Sequence, residues 1–401
     1  MEAGLSKVVV VGGGVAALEA TLALQELAPE LVEVEVVAPE RDFAYRPLLV
    51  AEPFGAGGLR TFPLRRLVED AGGTFVEAIV TGVDSDRHVV RTAAGDELSF
   101  DLLLLSPGAV PVVAVPGAIC FRGPTEAAEL RQLLADASAG IIDRITFAVP
   151  TGVTWPLPLY ELALLTRSYL VDEGAVDVEV AIVTPEDTPL HLFGPTASDA
   201  IRELLDTRGI ELSAGTTPLA FGDGALSTAP AGVLPADRVV ALPRLEGPRL
   251  AGVLHDAKGF IPTDDRGQVT DEIDVWAAGD ATTVPLKQGG IATQQADAAA
   301  EAIAARAGAA LEPSPFRPVL RGLLLTGMAP RFLRAEAGAR GSMIDTEPLW
   351  WPPAKIVGRY LAPFLAQHLG LSKILPDAAR GSALPVEVEL APAAHGDWSA
   401  L

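Results

Sequence analysis

Three small residues near the start of the chain have the types and spacing of a pyrophosphate-binding turn. Gly12, Gly14 and Ala17 form the pattern G-x-G-x-x-A directly after the β-branched run Lys7–Val11. The first glycine permits a tight turn, the second lets a phosphate approach the backbone, and the alanine lets helix and strand pack closely. A helix that starts here directs its free amides at an anion. The predicted dinucleotide site comprises Gly12, Gly14, Val15, Ala16 and Ala17.

The elements around this turn are predicted to have the order strand, helix, strand. Helical spacing predicts a helix over Leu18–Leu27, and alternating valines predict a strand over Val32–Val37. Glu40 follows that strand, 23 residues after Ala17, which is the distance typical of a carboxylate that binds an adenosine ribose. Two basic residues nearby are assigned to the same site, Arg41 and Arg46.

A second motif lies far downstream, where Val269–Asp280 is predicted as a short strand that ends in Gly279 and Asp280. A long alanine-rich helix is predicted to follow over Thr293–Ala307. With both motifs in this order, the chain resembles the two-dinucleotide-domain flavoproteins of the pyridine nucleotide–disulfide oxidoreductase superfamily. The resemblance implies FAD as cofactor, with the Asp280 carboxylate at the ribityl or phosphate region.

The resemblance also implies further cofactor contacts. The amides at the start of the alanine-rich helix would face the pyrimidine edge of the flavin, where a positive helix end favours the anionic reduced form. Ser106-Pro107-Gly108 stands where the superfamily carries Ala-Thr-Gly, and it keeps the glycine. The contact residues assigned in this way are Gly108, Gly279, Asp280, Lys287, Gly290, Ile291 and Ala292.

The fold expected from these motifs is α/β, with two Rossmann-like domains, the second inserted in the first, and a C-terminal cover. We predict an FAD-binding domain over residues 1–115 and 246–315 and an NAD(P)-binding-like domain over 116–245. Residues 316–385 would form the cover, and residues 386–401 a loose tail.

The turn of the second domain departs from the nucleotide-binding pattern. In the stretch 150–161 only Gly152 of the G-x-G-x-x-G pattern is present, and Trp155 and prolines occupy the turn. Proline removes amide donors, and an indole fills space that a pyrophosphate needs, so NAD(P)H binding in the usual pose is not expected. The altered turn narrows the resemblance. In the order of its elements, in Tyr160-Glu161 after the turn and in its C-terminal extension, the chain is most similar to the sulfide:quinone oxidoreductase and flavocytochrome sulfide dehydrogenase branch.

Cysteine content separates this chain from that branch. The sulfide chemistry of the branch uses a pair of cysteines near the flavin, whereas this chain contains one, Cys120. One thiol cannot form an intramolecular disulfide, so a sulfide oxidase working through that relay is excluded. Cys120 is expected either as an inert core thiol or, because some members of the branch carry a cysteine near the flavin, as a covalent flavin link. Glu161 is either a proton shuttle near the flavin or an acid favoured by a helix N-terminus.

Charge and composition exclude several function classes. The net charge of −22 argues against nucleic acid as a partner, and the five histidines lack metal-ligand spacing. The N-terminus shows no signal peptide, so a cytoplasmic location is expected. Residues 316–380 nevertheless contain nine basic and four acidic side chains, and Trp350 and Trp351 are adjacent.

Two interpretations of this C-terminal segment stay open. The aromatic side chains close the core over FAD, or residues 331–365 contact the inner face of a membrane as a basic, tryptophan-containing surface. Ile356, Tyr360 and Phe364 recur every four residues and predict a helix, which Pro363 would kink or end early.

The function expected is that of an FAD-dependent oxidoreductase that passes electrons from a small-molecule donor to an acceptor, with a quinone as the expected acceptor. A rival interpretation is an NAD(P)H:acceptor oxidoreductase that resembles type II NADH dehydrogenases. A third is a non-catalytic flavin-binding subunit or scaffold. A homodimer is compatible with all three.

Overall fold

The first part of the chain alternates strands and helices. The computed structural model describes residues 4–336, 342–347, 349–350 and 355–368. Its first elements are β1 Ser6–Val11, α1 Val15–Leu27, β2 Val32–Ala38, β3 Asp42–Tyr45, a 3-10 helix Arg46–Phe54, β4 Arg60–Pro63, α2 Leu64–Asp70, β5 Thr74–Glu77, β6 Val80–Asp84, β7 Val89–Thr92, β8 Glu97–Ser99, β9 Leu102–Leu105 and β10 Val110–Val112. The predicted strand, helix and strand around Gly12 are confirmed.

The middle of the chain repeats this alternation. Its elements are β11 Ile119–Cys120, α3 Pro124–Ser138, β12 Arg144–Ala148, α4 Leu157–Asp172, β13 Glu179–Val183, a 3-10 helix His191–Phe193, α5 Pro195–Thr207, β14 Ile210–Ser213, β15 Thr217–Gly222, β16 Ala225–Ala229, β17 Gly232–Pro235, β18 Arg238–Ala241 and β19 Arg244–Glu246.

The last part returns to the first sheet and then adds the C-terminal segment. Its elements are β20 Val275–Ala277, a 3-10 helix Gly279–Ala281, α6 Gly289–Arg306, β21 Val319–Leu324, β22 Arg331–Glu336, β23 Ser342–Asp345 and α7 Leu361–His368. Trp351 and the predicted tail over residues 386–401 lie outside the described residues.

Two parallel five-stranded sheets form the centre of the fold. One has the order β20-β9-β1-β2-β5, and the other the order β11-β18-β12-β13-β14. In sequence, β20 follows all the strands of the second sheet, yet it pairs with β9 of the first sheet. β10 and β19 pair with each other at the point where the chain leaves the first unit and returns to it. This topology confirms an α/β fold with one Rossmann-like unit inserted in the other. The domain boundaries stay predictions.

Burial explains the central strands of the first sheet. Val8–Val11 and Leu102–Leu105 are buried along their whole length, as expected for strands covered on both faces. Smaller antiparallel sheets lie outside this core, with the orders β6-β7-β8, β15-β16-β17 and β21-β22-β23.

Two predictions of element bounds are wrong. The strand predicted over Val269–Asp280 is confined to Val275–Ala277, because the charged residues before it form a turn. The C-terminal helix begins at Leu361 rather than near Ile356, and Pro363 lies in its first turn. Amides of the first turn have no partner within a helix, so proline costs no hydrogen bond there.

Candidate functional site

The first glycine turn is formed by close backbone packing. Gly12 has φ of +122°, and a Cβ there would lie 2.2 Å from the carbonyl oxygen of Ser106. The Ser106 amide in turn donates to the Val11 carbonyl over 2.8 Å. The sequence Ser106-Pro107 therefore takes part directly in the turn, although it differs from the usual superfamily pattern.

Gly14 faces open space at the start of α1. It is the residue that precedes the first helical turn, and no atom lies within 4 Å of a Cβ built on it. The free amides of α1 point into this space, together with the positive end of the helix dipole. This open space at the start of α1 forms a cradle, which stays free because position 14 has no side chain. A bound pyrophosphate requires such a free approach to the backbone.

The two cofactor motifs, which are far apart in sequence, meet at one point. Gly279 has φ of +79°, and a Cβ there would lie 3.1 Å from the Ala16 Cβ and 3.5 Å from the Ala292 Cβ. Gly279 begins a 3-10 helix, and Ala16 and Ala292 lie in the first turns of α1 and α6. The structure thus brings together three of the small residues that the sequence assigned to cofactor binding.

Gln288, which sequence reasoning missed, caps α6. Its side-chain oxygen accepts from the Ile291 amide over 2.8 Å, and its side-chain nitrogen donates to the Arg321 carbonyl over 3.2 Å. Its capping role could have been predicted from its position directly before Gly289 and Gly290, because a polar side chain before the first helical turn can accept from the free amides.

Asp280 and Lys287 line a cavity beside this junction. Burial raises the pKa of Asp280, and the Lys287 ammonium opposes that shift. Burial lowers the pKa of Lys287 to about 8, against the attraction of Asp280 and Asp256. The Lys287 ammonium lies 4.0 Å from the centre of the Phe260 ring and donates to the Thr282 carbonyl. This pair sets a carboxylate and a cation at the edge of the cavity.

The cavity has a volume of about 470 Å³ and lies where the two sheets and the C-terminal segment meet. Its basic lining residues are Arg46, Arg122, Arg244, Lys258, Lys287, Arg321 and Lys355. Its acidic ones are Glu161, Asp256 and Asp280. The lining therefore has four more basic than acidic side chains, although the net charge of the whole chain is −22.

Side-chain contacts fix the second turn, which lines the cavity. The Thr154 hydroxyl donates to the Pro285 carbonyl over 2.6 Å, and the Trp155 ring packs 5.8 Å from the Phe193 ring. Pro156 stands where Gly14 stands in the first unit, directly before the helix. Trp155 is half-buried, packs against the hydrophobic core and lines the cavity. That it excludes NAD(P)H stays a prediction.

Glu186 follows β13 as Glu40 follows β2, and sequence reasoning missed it. Its carboxylate accepts from the Tyr160 hydroxyl over 2.7 Å and from the Thr184 hydroxyl over 3.0 Å. His191 Nδ1 lies 3.3 Å from the other oxygen. Glu186 is buried, whereas Glu40 is exposed. The acid of the second unit is therefore held by protein groups, and a count from the end of the second predicted strand could have found it.

The sequence profile of the pyridine nucleotide-disulphide oxidoreductase family matches residues 6–302, which is more than half of the chain. The chain belongs to this family. Its members are FAD-dependent oxidoreductases, so the predicted enzyme class and the predicted cofactor, FAD, are confirmed. The cradle at the start of α1 and the carboxylate of Asp280 fit that cofactor.

Individual relatives of this flavoprotein are distant. Two NADH dehydrogenase-like proteins of Mycobacterium tuberculosis are each 26% identical to it, over 70% of this chain and 74% of theirs. The sulfide:quinone oxidoreductase from Aquifex aeolicus matches with a TM-score of 0.78 at 20% identity, over 85% of this chain and 86% of that one. NDH2 from Plasmodium falciparum in complex with NADH matches with a TM-score of 0.55 at 14% identity, over 70% and 65%.

Glu161 of this flavoprotein lies in the wall of the cavity as half of a buried ion pair. Its oxygens lie 2.5 and 2.6 Å from the Lys355 nitrogen, and it accepts from the Leu325 amide over 2.9 Å. The residue lies in the second turn of α4, so a helix N-terminal acid does not describe it. Burial raises its pKa, and the Lys355 charge opposes that shift. Lys355, 194 positions away, is a functional candidate that no local pattern indicates.

Cys120 ends β11 and is buried, next to Phe121 and Arg122 of the cavity lining. Burial raises the pKa of its thiol, with Arg122 opposing, so the thiolate is disfavoured. An inert thiol agrees with this environment. Acid denaturation tests the alternative of a covalent flavin link through Cys120, because FAD that stays with the precipitated protein would show such a link.

The remaining predicted residues lie around the first turn. Arg46 is exposed and lines the cavity, whereas Arg41 is exposed and pairs with Glu77 over 2.8 Å. Gly108 has φ of +75° in the turn after β9, with open space around it. Their roles in cofactor binding stay predictions.

Proposed function

We propose that this flavoprotein transfers electrons from its flavin to a quinone bound in the 470 Å³ cavity, without a thiol relay and without NAD(P)H as donor. The observation that carries the proposal is the buried pair of Glu161 and Lys355 in the cavity wall. FAD, when bound, supplies the redox chemistry. The chain supplies binding, orientation and protons.

The cavity lining suits a flat, partly apolar acceptor beside a flavin ring. On one side Asp280, Lys287 and Gly289 belong to the FAD motif. The apolar lining residues include Leu49, Val50, Phe121, Trp155, Leu157, Leu242, Leu245 and Ile356. They alternate with ten charged side chains, and polar groups at fixed positions can orient a bound ligand.

The ion pair can hold a proton at the place where one is needed. Reduction of a quinone to a quinol takes up two electrons and two protons. Glu161 has a raised pKa, so its protonated and ionised forms are closer in free energy than for an exposed carboxylate. Lys355 orients this carboxylate and balances its charge, and the pair can pass a proton toward the acceptor.

The second unit supports the absence of a nicotinamide donor. Trp155 packs in the turn that would receive a pyrophosphate, and the carboxylate of Glu186 is bound to Tyr160. A dinucleotide in the usual pose would have to displace both arrangements.

An NADH dehydrogenase is the second candidate, because the two mycobacterial relatives carry that name. Anaerobic addition of NADH, then NADPH, to the oxidised protein separates the candidates through the flavin absorbance near about 450 nm. We expect the absorbance to persist, and fast bleaching would establish the second candidate.

A quinone is tested with photoreduced protein. Rapid return of the flavin absorbance after anaerobic mixing with a short-chain quinone is the expected result. If the flavin is reoxidised no faster than with buffer alone, quinone reduction is contradicted and a non-catalytic flavin-binding protein is favoured.

Variants of the ion pair locate the proton function. Glu161→Gln removes the ionisable group, and we expect acceptor reduction to fall by about 10²-fold with FAD still bound. Glu203→Gln on α5 serves as the matched control because this carboxylate is exposed and is not among the lining residues of the cavity. Equal rates in both variants would contradict a role for Glu161.

Contact with a membrane through residues 331–365 is also a proposal. Among the described residues, no helix is both long and apolar enough to cross a bilayer. Met343 in this region is 55% exposed, and Met328 just before it is 70% exposed, which supports surface contact. Sedimentation with anionic vesicles tests it, and analytical ultracentrifugation tests the predicted homodimer.

A further inference from the structure

The carboxylate of Glu19 holds the start of the C-terminal helix. Glu19 lies on α1 and is fully buried, and its two oxygens accept from the amides of Tyr360 and Leu361 over 2.9 and 2.7 Å. The Tyr360 carbonyl accepts from the Phe364 amide, so it takes the first hydrogen bond of α7. Both amides that Glu19 binds are therefore ones that the helix itself leaves without a partner.

The backbone just before this helix packs against the same carboxylate. A Cβ at Gly358 would lie 2.3 Å from a Glu19 oxygen and 3.0 Å from the Thr293 side chain. The φ angle of Gly358 lies outside the left-handed region, so an added side chain would disturb this contact rather than the backbone conformation. The absence of a side chain at position 358 thus permits the segment to approach Glu19 directly.

The stretch that is held in this way begins at the cavity wall. Lys355 and Ile356 line the cavity, and Lys355 pairs there with Glu161 of α4. Ile356 packs on Gly289, where a Cβ would lie 2.9 Å from the isoleucine side chain. Residues 355–361 therefore connect α1 of the first unit to α4 of the second unit.

Lys355 lies outside any helix or strand. It belongs to the irregular segment ahead of α7, and a lysine side chain is flexible enough to reach several places unless its backbone is fixed. The Lys355 side chain is nevertheless only 8% exposed, and its nitrogen lies 2.5 and 2.6 Å from the two oxygens of Glu161. Such close contact requires accurate placement of the segment, to which Glu19 contributes two hydrogen bonds.

We propose that Glu19 is a positioning residue for the cavity, which places the Lys355 ammonium against Glu161 by holding the start of α7. Glu19 is not among the lining residues of the cavity, so it acts through the backbone of the segment. The consequence for proton transfer rests on the proposed function, whereas the placement of Lys355 does not.

Chemical labelling of Lys355 in the FAD-loaded protein measures its placement. Burial raises the pKa of Glu19 to about 7, against the amides that it binds, so acetic anhydride is applied at pH 8, where the carboxylate is ionised. Peptide mass spectrometry quantifies the acetylation. Exposed Lys258 is the reference for the reagent, and Lys7, which pairs with Glu35, is the reference for an intact first unit.

The variant Glu19→Gln keeps the shape of the side chain and removes one of its two acceptor oxygens. The glutamine amide would turn a donor toward a backbone donor, so we expect Lys355 to be acetylated about tenfold faster than in the wild type, with Lys7 unchanged. An unchanged rate at Lys355 would overturn the proposal.

Glu301→Gln on α6 is the matched control for this variant. The Glu301 carboxylate lies 3.8 Å from the Arg359 side chain of the same segment, in a partly exposed pair that contributes little to stability. We expect Lys355 to react at the wild-type rate in this control. Equal acceleration in Glu19→Gln and Glu301→Gln would contradict a specific role for Glu19.

Gly358→Ala disturbs the same contact from the other side. The added Cβ must displace either the Glu19 carboxylate or the segment, and both movements break hydrogen bonds, so we expect a similar acceleration at Lys355. Gly222→Ala is the control, because no atom lies within 4 Å of a Cβ there. The double variant Glu19→Gln/Gly358→Ala should agree with the faster single variant within about twofold. Multiplication of the two effects would contradict a single shared contact.

Reoxidation of the photoreduced flavin by quinone tests the link to proton transfer. Glu19→Gln should slow it, and addition of Lys355→Met to Glu19→Gln should slow it no further. Faster acetylation of Lys355 in Glu19→Gln, with no quinone reaction in the wild type, would remove only the proposed function. Unchanged acetylation, with a quinone reaction in the wild type, would remove only the positioning role of Glu19.

Discussion

Each of the two parallel sheets of this protein contains a strand that leads through a turn into a helix, β1 to α1 in the first and β12 to α4 in the second, yet the two turns differ in what surrounds them. In the first, Gly14 leaves open space before α1, and Glu40 is exposed after the second strand. In the second, Trp155 packs against Phe193 and lines the cavity, and Glu186 is bound by protein hydroxyls. The same backbone topology thus supports a nucleotide site in one unit and a hydrophobic core with an internal polar network in the other.

The largest expected effect concerns the cradle before α1. Gly14→Val places a side chain where the pyrophosphate should lie, while no protein atom is displaced. We expect FAD affinity to fall by at least about 10³-fold, which is about 4 kcal/mol, as measured by equilibrium dialysis. Gly123→Val makes the same change at the residue before α3 and should retain FAD. Equal affinities in the two variants would break the comparison.

The variant Trp155→Ala tests what the indole contributes to the turn between β12 and α4. Removal of the indole from its contact with Phe193 should lower the free energy of unfolding by about 3 kcal/mol in urea titrations. NADH should still fail to bleach the flavin, because Pro156 and the bound Glu186 remain. NADH reduction in this variant would show that the indole alone excludes the nucleotide. Trp155→Phe should recover most of the stability.

The two acids are expected to show opposite effects. Glu40→Ala should weaken FAD binding by about tenfold and leave stability unchanged, because the exposed carboxylate acts on the ligand. Glu186→Ala should leave FAD binding unchanged and lower the free energy of unfolding by about 1–3 kcal/mol, because buried hydroxyls of Tyr160 and Thr184 lose their acceptor. Calorimetry measures both quantities, and a shared response would show that the two acids have the same role.

The smallest effect is a pH dependence in the second unit. The hydrogen bond to Glu186 raises the pKa of His191, against partial burial. The interaction of protonated His191 with Glu186 therefore stabilises the fold fully below the unfolded histidine pKa of about 6.5. This stabilisation is lost as the pH rises through the raised pKa of His191 in the folded protein. The imidazole is 39% exposed, so solvent screening limits the change to a few tenths of a kcal/mol. His191→Gln should remove this difference between pH 6 and 8.

Much of the architecture was predictable because its signals are contiguous. The valine runs of β1 and β2, the glycine turn and the alanine-rich α6 each occupy one short stretch, and local spacing is sufficient to predict them. Element ends were less predictable. The start of α7 depends on Glu19, which holds the amides of Tyr360 and Leu361 from a distant helix.

The candidate site shows the same division. The sequence indicated the small residues at the FAD motifs and the altered turn at Trp155. It could not indicate that Glu161 meets Lys355 or that Glu186 is bound by Tyr160, because nothing in local spacing records which side chains share a buried space. Gln288 is intermediate, since its capping role was visible in its position but its link to Arg321 was not.

The sequence by itself determined the fold class, the cofactor and the absence of a disulfide relay, because these follow from contiguous motifs and from a single cysteine. Only the tertiary structure decided that Ala16, Gly279 and Ala292 meet, and that buried acids are bound by a lysine, hydroxyls or backbone amides. The reason is energetic. A buried charge or polar group requires a partner, and that partner is brought to it by the packing of distant elements rather than by its neighbours in sequence.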